Sequence, residues 1–352
     1  MRSASFRSVV SVLGLLAALP ASAQVYPERI PSAARLRPEP QRDRARQNRD
    51  QNGREEQTER TTRTVRIGTG GELDLANISG DVNISRGSGQ DATIEIVKTA
   101  RAQSADDART MLGLVQIEVT ERGGRAEVRT RYPNGDEMRG GNRRNINVSV
   151  TYTVTAPSEA RITARSISGN VTARDMRGEL TLESVSGNVI ITNGGRVAGA
   201  KSISGNVEIT GAEVDGSLDA SSVSGTVTAR RIKARQLSLN TVSGNLAVED
   251  VDSGRVELQA VSGNVDLIGA LARGGRYTVS SHSGEIKVIL SGNTGFELDA
   301  TTFSGSIRSD LPLTGGSSDN RRRQREVRGV YGDGSAVLDL TTFSGSVVIS
   351  KR

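Results

Sequence analysis

Cysteine and tryptophan are absent from this 352-residue chain, and His282 is its one histidine. Without thiols there can be no disulfide, no lipid anchor on cysteine and no thiolate metal ligand. A lone imidazole has no second His or Cys to complete a metal site or a catalytic pair. Aromatic residues make up 3% of the chain, too few for the Trp or Tyr platforms that stack sugars or single-stranded nucleic acid. Proline is scarce as well, and Pro27, Pro31, Pro38 and Pro40 crowd into one short stretch. No phosphate loop, dinucleotide fingerprint or calcium-binding Gly-Gly-x-Gly-x-Asp repeat occurs. Charge is mixed, with 46 Lys and Arg against 40 Asp and Glu, for a net +6.

Glycine, by contrast, is abundant and regularly placed. The word Val185-Ser186-Gly187-Asn188-Val189 recurs at Ile78–Val82, Ile167–Val171, Ile203–Val207, Val223–Val227, Val242–Leu246 and Val261–Val265. Looser copies stand at His282–Ile286, Phe303–Ile307 and Phe343–Val347. In the main run the glycines are about 18 to 21 residues apart, a solenoid period. Apolar residues sit seven and five before each glycine, as Leu180 and Leu182 do, and four after it, as Ile191 does. Apolar positions two apart have the period of a strand with one buried face. Each repeat therefore reads as strand, Ser-Gly corner, strand, loop, stacked on its neighbours about 4.8 Å apart. The fold class expected is all-β: a single-stranded parallel β-solenoid (β-helix) of about 19-residue coils. The glycine supplies a corner conformation, with positive φ, that a side chain would obstruct. The Ser before it and the Asn after it should form polar ladders between coils.

In chain order, residues 1–23 read as a secretory signal peptide. Arg2 and Arg7 give the charged start, Val9 to Leu19 the apolar stretch, and Ala21-Ser22-Ala23 the cleavage site. That stretch is too short for a permanent membrane span. Residues 24–63, rich in Pro, Arg and Gln, are expected to be a disordered linker. Residues 64–155 read as a first coil around Gly80 plus an inserted strand–helix–strand module that covers one end. In it, strands are expected over Thr93–Thr99, Val115–Glu121, Ala126–Arg131 and Ile146–Thr155, with a helix from Ser104 to Leu114. The Gly, Arg and Asn-rich stretch Tyr132–Asn145 is a loop. Residues 156–352 are the solenoid, interrupted at 310–334 by either a long exposed loop or one degenerate coil.

Three features together resemble the bacterial putative-adhesin family, an exported β-solenoid domain of unknown function. They are the first coil Ile78-Ser79-Gly80-Asp81-Val82, the inserted strand–helix–strand unit followed by Val150–Pro157, and the serial Ser-Gly-Asn-Val repeats. The resemblance runs from about residue 64 to the end. It implies an envelope-associated protein, with links to envelope-stress sensing in some members, and supplies no catalytic residues. The basic segment 310–334 lies outside the family pattern.

The carboxylate pairs Asp106/Asp107, Asp215/Asp219 and Asp250/Asp252 do not align over adjacent coils and read as a solvated face rather than glycosidase acids. The densest cationic cluster is Arg321, Arg322, Arg323, Arg325 and Arg328, a candidate contact for anionic lipid, lipopolysaccharide or acidic glycan. No catalytic, cofactor-binding or metal residue is assigned, and no cofactor is expected. The reading is a non-enzymatic, adhesin-like scaffold exported to the periplasm or cell surface. It would bind an envelope polymer or a protein partner, with no nucleic acid and no transmembrane segment in the mature chain. The alternatives are a polysaccharide-active β-helix enzyme and an envelope-stress sensing component.

Overall fold

Apolar residues at every second position can be buried only if strands from successive repeats lie side by side, and this is how the chain is arranged. The computed structural model describes residues 54–133, 146–315 and 325–352, all within one unit, Gln51–Arg352. The expected signal peptide, most of the expected linker, and residues 134–145 and 316–324 lie outside the described residues. The described part is all-β with one helix and mixed strand orientation, β-solenoid-like in its repeated region.

The N-terminal part comprises β1 (Glu55–Arg66), β2 (Glu72–Ser79), β3 (Val82–Gly87), β4 (Asp91–Ala102), α1 (Ala105–Leu114), β5 (Gln116–Arg122), β6 (Arg125–Arg131) and β7 (Val148–Pro157). β1 corrects the expected linker boundary at residue 63. Its residues Glu55–Arg66 pair antiparallel with Ala102–Asp91 of β4, so backbone hydrogen bonding orders a stretch whose side chains are mostly polar. Helix α1 starts where Ser104 caps it, accepting a hydrogen bond from the Asp107 N–H at 3.1 Å, and it buries Ala108, Met111 and Leu112.

The repeats follow as β8 (Arg161–Ser168), β9 (Val171–Arg174), β10 (Glu179–Ser186), β11 (Val189–Thr192), β12 (Arg196–Ser204), β13 (Val207–Ser224), β14 (Val227–Ser243), β15 (Leu246–Ser262), β16 (Val265–Gly269), β17 (Arg276–Ser283) and β18 (Ile286–Leu290). The last are β19 (Phe296–Ser304), β20 (Ile307–Ser309), β21 (Glu326–Tyr331), β22 (Ala336–Ser344) and β23 (Val347–Lys351). Strands ending at the Ser-Gly corner pair in parallel as one layer: β2, β8, β10, β12, the second halves of β13 to β15, β17, β22 and β19. Strands leaving the corner form a second layer from β3 and β9 through β11, the first halves of β13 to β15, β16 and β18 to β23 and β20. Between the layers lies the core, where Leu180, Leu182, Val189 and Ile191 and their counterparts are sealed from solvent.

Neither end is a plain continuation of the stack. At the first end the inserted module lengthens both layers: β6 pairs parallel with β2 and β5 antiparallel with β6, while β7 pairs parallel with β3 and β4 antiparallel with β7. At the other end the final coil, β22 and β23, sits between β17–β18 and β19–β20 rather than after them. Within the interruption at 310–334, the described residues depart from the parallel pattern of the coils. Its β21 runs antiparallel to β19, and Thr314 and Val330 exchange backbone hydrogen bonds of 2.9 and 2.8 Å.

The corner chemistry is resolved residue by residue. The Asn188 side-chain oxygen accepts from the Asn206 N–H at 2.8 Å, and the Asn170 oxygen from the Asn188 N–H at 2.9 Å. The second ladder differs from expectation. It is the hydroxyl three residues before the glycine that bridges coils, Ser184 donating to the Gly169 carbonyl at 2.9 Å, while Ser186 beside the glycine is exposed. The expected positive φ is found at Gly80 (109°), Gly169 (147°), Gly263 (156°), Gly284 (155°) and Gly305 (159°), but not at Gly187. A side chain is excluded there because its Cβ would overlap the Gly169 carbonyl oxygen of the coil below.

Candidate functional site

Parity along the strand decides what faces outward. Residues seven, five and three before each glycine point into the core, so the residue two before it must point out. That position is the first apolar letter of the repeated word. Ile167, Val185, Ile203, Val223, Val242, Val261, Phe343 and Phe303 are accordingly 43 to 65% exposed. Strand register aligns them with Ile78 at one end and with His282, between Val261 and Phe343, near the other. The result is a row of ten side chains, one per coil, on the outer face of the first layer. His282, Phe343 and Phe303 close it as a stack, with ring centroids 4.9 and 4.7 Å apart and planes within 7° and 5° of parallel.

The row borders an open groove in two linked segments that share Ser221 and Val223. The first, about 920 Å³, is lined by Ile78, Ile167, Val185 and Ile203 together with Arg129, Arg131, Arg165, Lys201, Glu118 and Glu183. The second, about 810 Å³, holds Val242, Val261, His282, Phe303 and Phe343 beside Asn240, Gln259, Ser280, Thr301 and Thr341. No Asp, Glu, Lys or Arg lines the second segment. In the first, Arg165 pairs with Glu183 at 3.1 Å and Asp74 at 3.6 Å, Arg131 with Glu118 at 2.7 Å, and Arg129 with Glu127.

Beneath the first segment lies a buried polar cluster. The Asn77 amide donates to the carbonyls of Gly80 and Val150, both at 2.8 Å, and its oxygen accepts from the Thr130 hydroxyl at 3.1 Å. Thr130 also meets the Tyr152 hydroxyl at 2.6 Å, and burial pushes that phenol up to about 12 against the partial relief of this bond. Because Asn77 occupies the Gly80 carbonyl, Ser166 loses the ladder bond its counterparts make. Its hydroxyl is buried without a hydrogen-bond partner on the inner side of the layer.

The arginine cluster expected to bind anions is only partly described. Arg321, Arg322 and Arg323 lie outside the described residues. Arg325 is exposed beside β21, its carbonyl accepting from the Thr302 N–H at 2.7 Å. Arg328, on β21, is paired with Asp299 and Glu326, each at 3.2 Å. Asp215, Asp219, Asp250 and Asp252 are exposed, and Asp106 and Asp107 lie in the first turn of α1. Among the described residues no group of three or more His, Asp or Glu could hold a metal ion, and no helix is long and apolar enough to cross a membrane.

The outer apolar row was overlooked in the sequence reading, although its signal was present. The rule that buried Leu180 and Leu182 leaves Val185 on the opposite face, and the same holds in every copy of the word.

A family model described as Toastrack DUF4097 matches residues 70–350. Among solved structures, the chain is similar to one described as a putative adhesin from Bacteroides fragilis, at 14% identity over 84% of this chain and 97% of that one, with a TM-score of 0.42. A structure described as a putative lipid binding protein from Parabacteroides distasonis matches at 13% identity over 83% and 96%, with a TM-score of 0.42. A putative adhesin from the same organism matches at 12% over 84% and 97%, with a TM-score of 0.39. No curated protein matches the chain.

Proposed function

The chain belongs to the Toastrack DUF4097 family, and on that premise we propose that it is an exported, non-enzymatic, adhesin-like protein. It would be a β-solenoid of about 19-residue coils that holds an elongated component of the cell envelope along the outer face of its first layer. One observation carries this reading: the row from Ile78 to Phe303, apolar at every position but His282, with Ile78 partly exposed and the other nine exposed. Scattered exposed apolar residues are normal on a soluble protein, whereas a continuous apolar strip with polar borders is characteristic of an interaction surface. Export rests on the charged, apolar and small-residue segments of residues 1–23. The description of relatives as adhesins agrees with a binding role. The arginine run Arg321–Arg323 is an auxiliary contact to an anionic surface in this reading.

Co-sedimentation of the mature protein with peptidoglycan, lipopolysaccharide and anionic vesicles, at low and high salt, tests the proposal. Val223→Asp with Val261→Asp should abolish binding to the fraction recognised, with melting behaviour unchanged. Replacing Arg321, Arg322 and Arg323 by Gln should weaken only the salt-sensitive part. Full binding by the Val223/Val261 variant would remove the groove from the account.

A further inference from the structure

We propose that the free edge of β1 is a self-recognition surface, along which two copies of the chain join antiparallel and continue the second layer from one into the other. Among the described residues β1 hydrogen-bonds to a strand on one side only, β4, and so ends that layer. Helix α1 packs over β1 and β4 alike rather than along the far side of β1. Every second residue of β1 therefore turns an unpaired N–H and C=O away from β4. The other end of the stack is blunted, since β20 is three residues long and β19 is covered by β21. β1 instead runs twelve residues in unbroken register with β4, without proline, glycine or bulge. Charge is the one device left to keep a second strand away, and here it is ordered to attract one.

Acids occupy the first part of β1 and bases the second: Glu55, Glu56 and Glu59, then Arg60, Arg63 and Arg66. Such a strand complements its own reverse. A two-fold axis perpendicular to the sheet keeps each side chain on its own face, so the residue on the axis meets itself. With Thr61 on the axis, Glu56 stands opposite the partner's Arg66 and Glu59 opposite the partner's Arg63, and no like charges meet. Centring on Glu59 or Arg60 sets that charge against itself, and centring on Thr62 loses both matches. The carboxylates already have one neighbour each within the sheet, Arg101 on Glu56 at 2.8 Å and Lys98 on Glu59 at 3.3 Å. Their side chains remain 49% and 47% exposed, which leaves room for a second cation on the open side. Arg60 is held by Glu95 at 3.1 Å, whereas Arg63 and Arg66 are exposed and make no ion pair among the described residues. The dimer gives each of these two a carboxylate and pairs the open backbone edge at the same time. A strand of another protein could fill the edge, but a second copy carries the matching order of charge by construction. The proposal does not depend on the apolar row.

Analytical ultracentrifugation of the mature protein over a range of concentrations should show a monomer–dimer equilibrium that weakens with salt. Arg63→Glu with Arg66→Glu sets acids opposite acids and breaks no ion pair of the monomer. It should weaken the dimer at least about tenfold and leave melting of the monomer unchanged. Glu56→Arg with Glu59→Arg should also give a monomer, and mixing the two variants should restore association as a heterodimer. A variant that had merely unfolded could not recover in this way. Because the chain has no cysteine, Thr61→Cys reports the register. Oxidation should link two copies through the axis, whereas the two thiols of Thr58→Cys would stand about 20 Å apart and should stay free. A protein that is monomeric up to about 0.1 mM, including one that captures a foreign strand instead, would overturn the proposal. So would a dimer untouched by Arg63→Glu with Arg66→Glu, a dimer lost to Val242→Asp, or equal crosslinking at positions 58 and 61.

Discussion

Val185 and Val189 flank the same glycine, yet the first is 43% exposed and the second fully buried. Their rows run side by side through the molecule, one outside the first layer and one inside the second. The chain reverses facing at the corner, and what distinguishes the rows is parity, not residue type. The outer face of the second layer sharpens the contrast. Its equivalent row runs Thr172, Ile190, Glu208, Thr228, Ala247, Asp266 and Lys287, with no apolar continuity. Solubility alone would favour such a mixture on both outer faces, so the apolar row on one of them needs a reason beyond folding.

Mutations on the two sides of the corner should separate these roles. The largest effect is expected where coils touch. Gly187→Ala forces a Cβ into the Gly169 carbonyl oxygen and requires backbone in the adjacent coil to move, at a cost on the order of 4 kcal/mol or more in denaturant unfolding. Leu182→Ala opens a cavity in the sealed row and should cost about 2–5 kcal/mol by the same measurement. Equal tolerance at Leu182 and Val185 would erase the distinction between the rows.

The buried cluster under the first groove segment gives a pH signature. Tyr152 has its folded pKa raised from 10.0 to about 12, so the unfolded chain ionises first. Its contribution is complete below pH 10.0 and is lost as pH climbs toward about 12, a decline on the order of 2–3 kcal/mol. Spectrophotometric titration at alkaline pH should show this phenol ionising with unfolding, and Tyr152→Phe should flatten the decline. Asn188→Ala removes the acceptor for the Asn206 N–H and should cost about 1 kcal/mol. Val185→Thr should change stability least, within about 0.5 kcal/mol. A larger loss would mean that the outer row is structural after all.

Much of this architecture was legible in the chain. The period fixed by Gly169, Gly187 and Gly205 and the alternation around Leu180 and Leu182 specify strands, facing and stacking, because each follows from local steric rules. The Ser104 cap and the acidic pair Asp106 and Asp107 marked the helix correctly. Non-local pairing was not legible. Nothing around Gly345 says that its coil would slip between those of Gly284 and Gly305, since all three carry equivalent edges. Nor does the composition of Glu55–Arg66 show that β4 would recruit it as a strand. The groove was half legible: its apolar row follows from parity, whereas the cations beside it come from β6 and from two different coils, at Arg165 and Lys201, that only the stacking brings together. The arginine cluster drew attention by density, yet Arg328 is neutralised by its neighbours.

The central claim is that one outer face of this stack is a binding surface and the other is not. Site-specific photo-crosslinking in intact cells tests it directly, with the crosslinker placed once at Val242 on the first layer and once at Thr228 on the second. Adducts to an envelope component from Val242 alone are the predicted result. Equal adducts from both positions, or adducts from Thr228 alone, would contradict it.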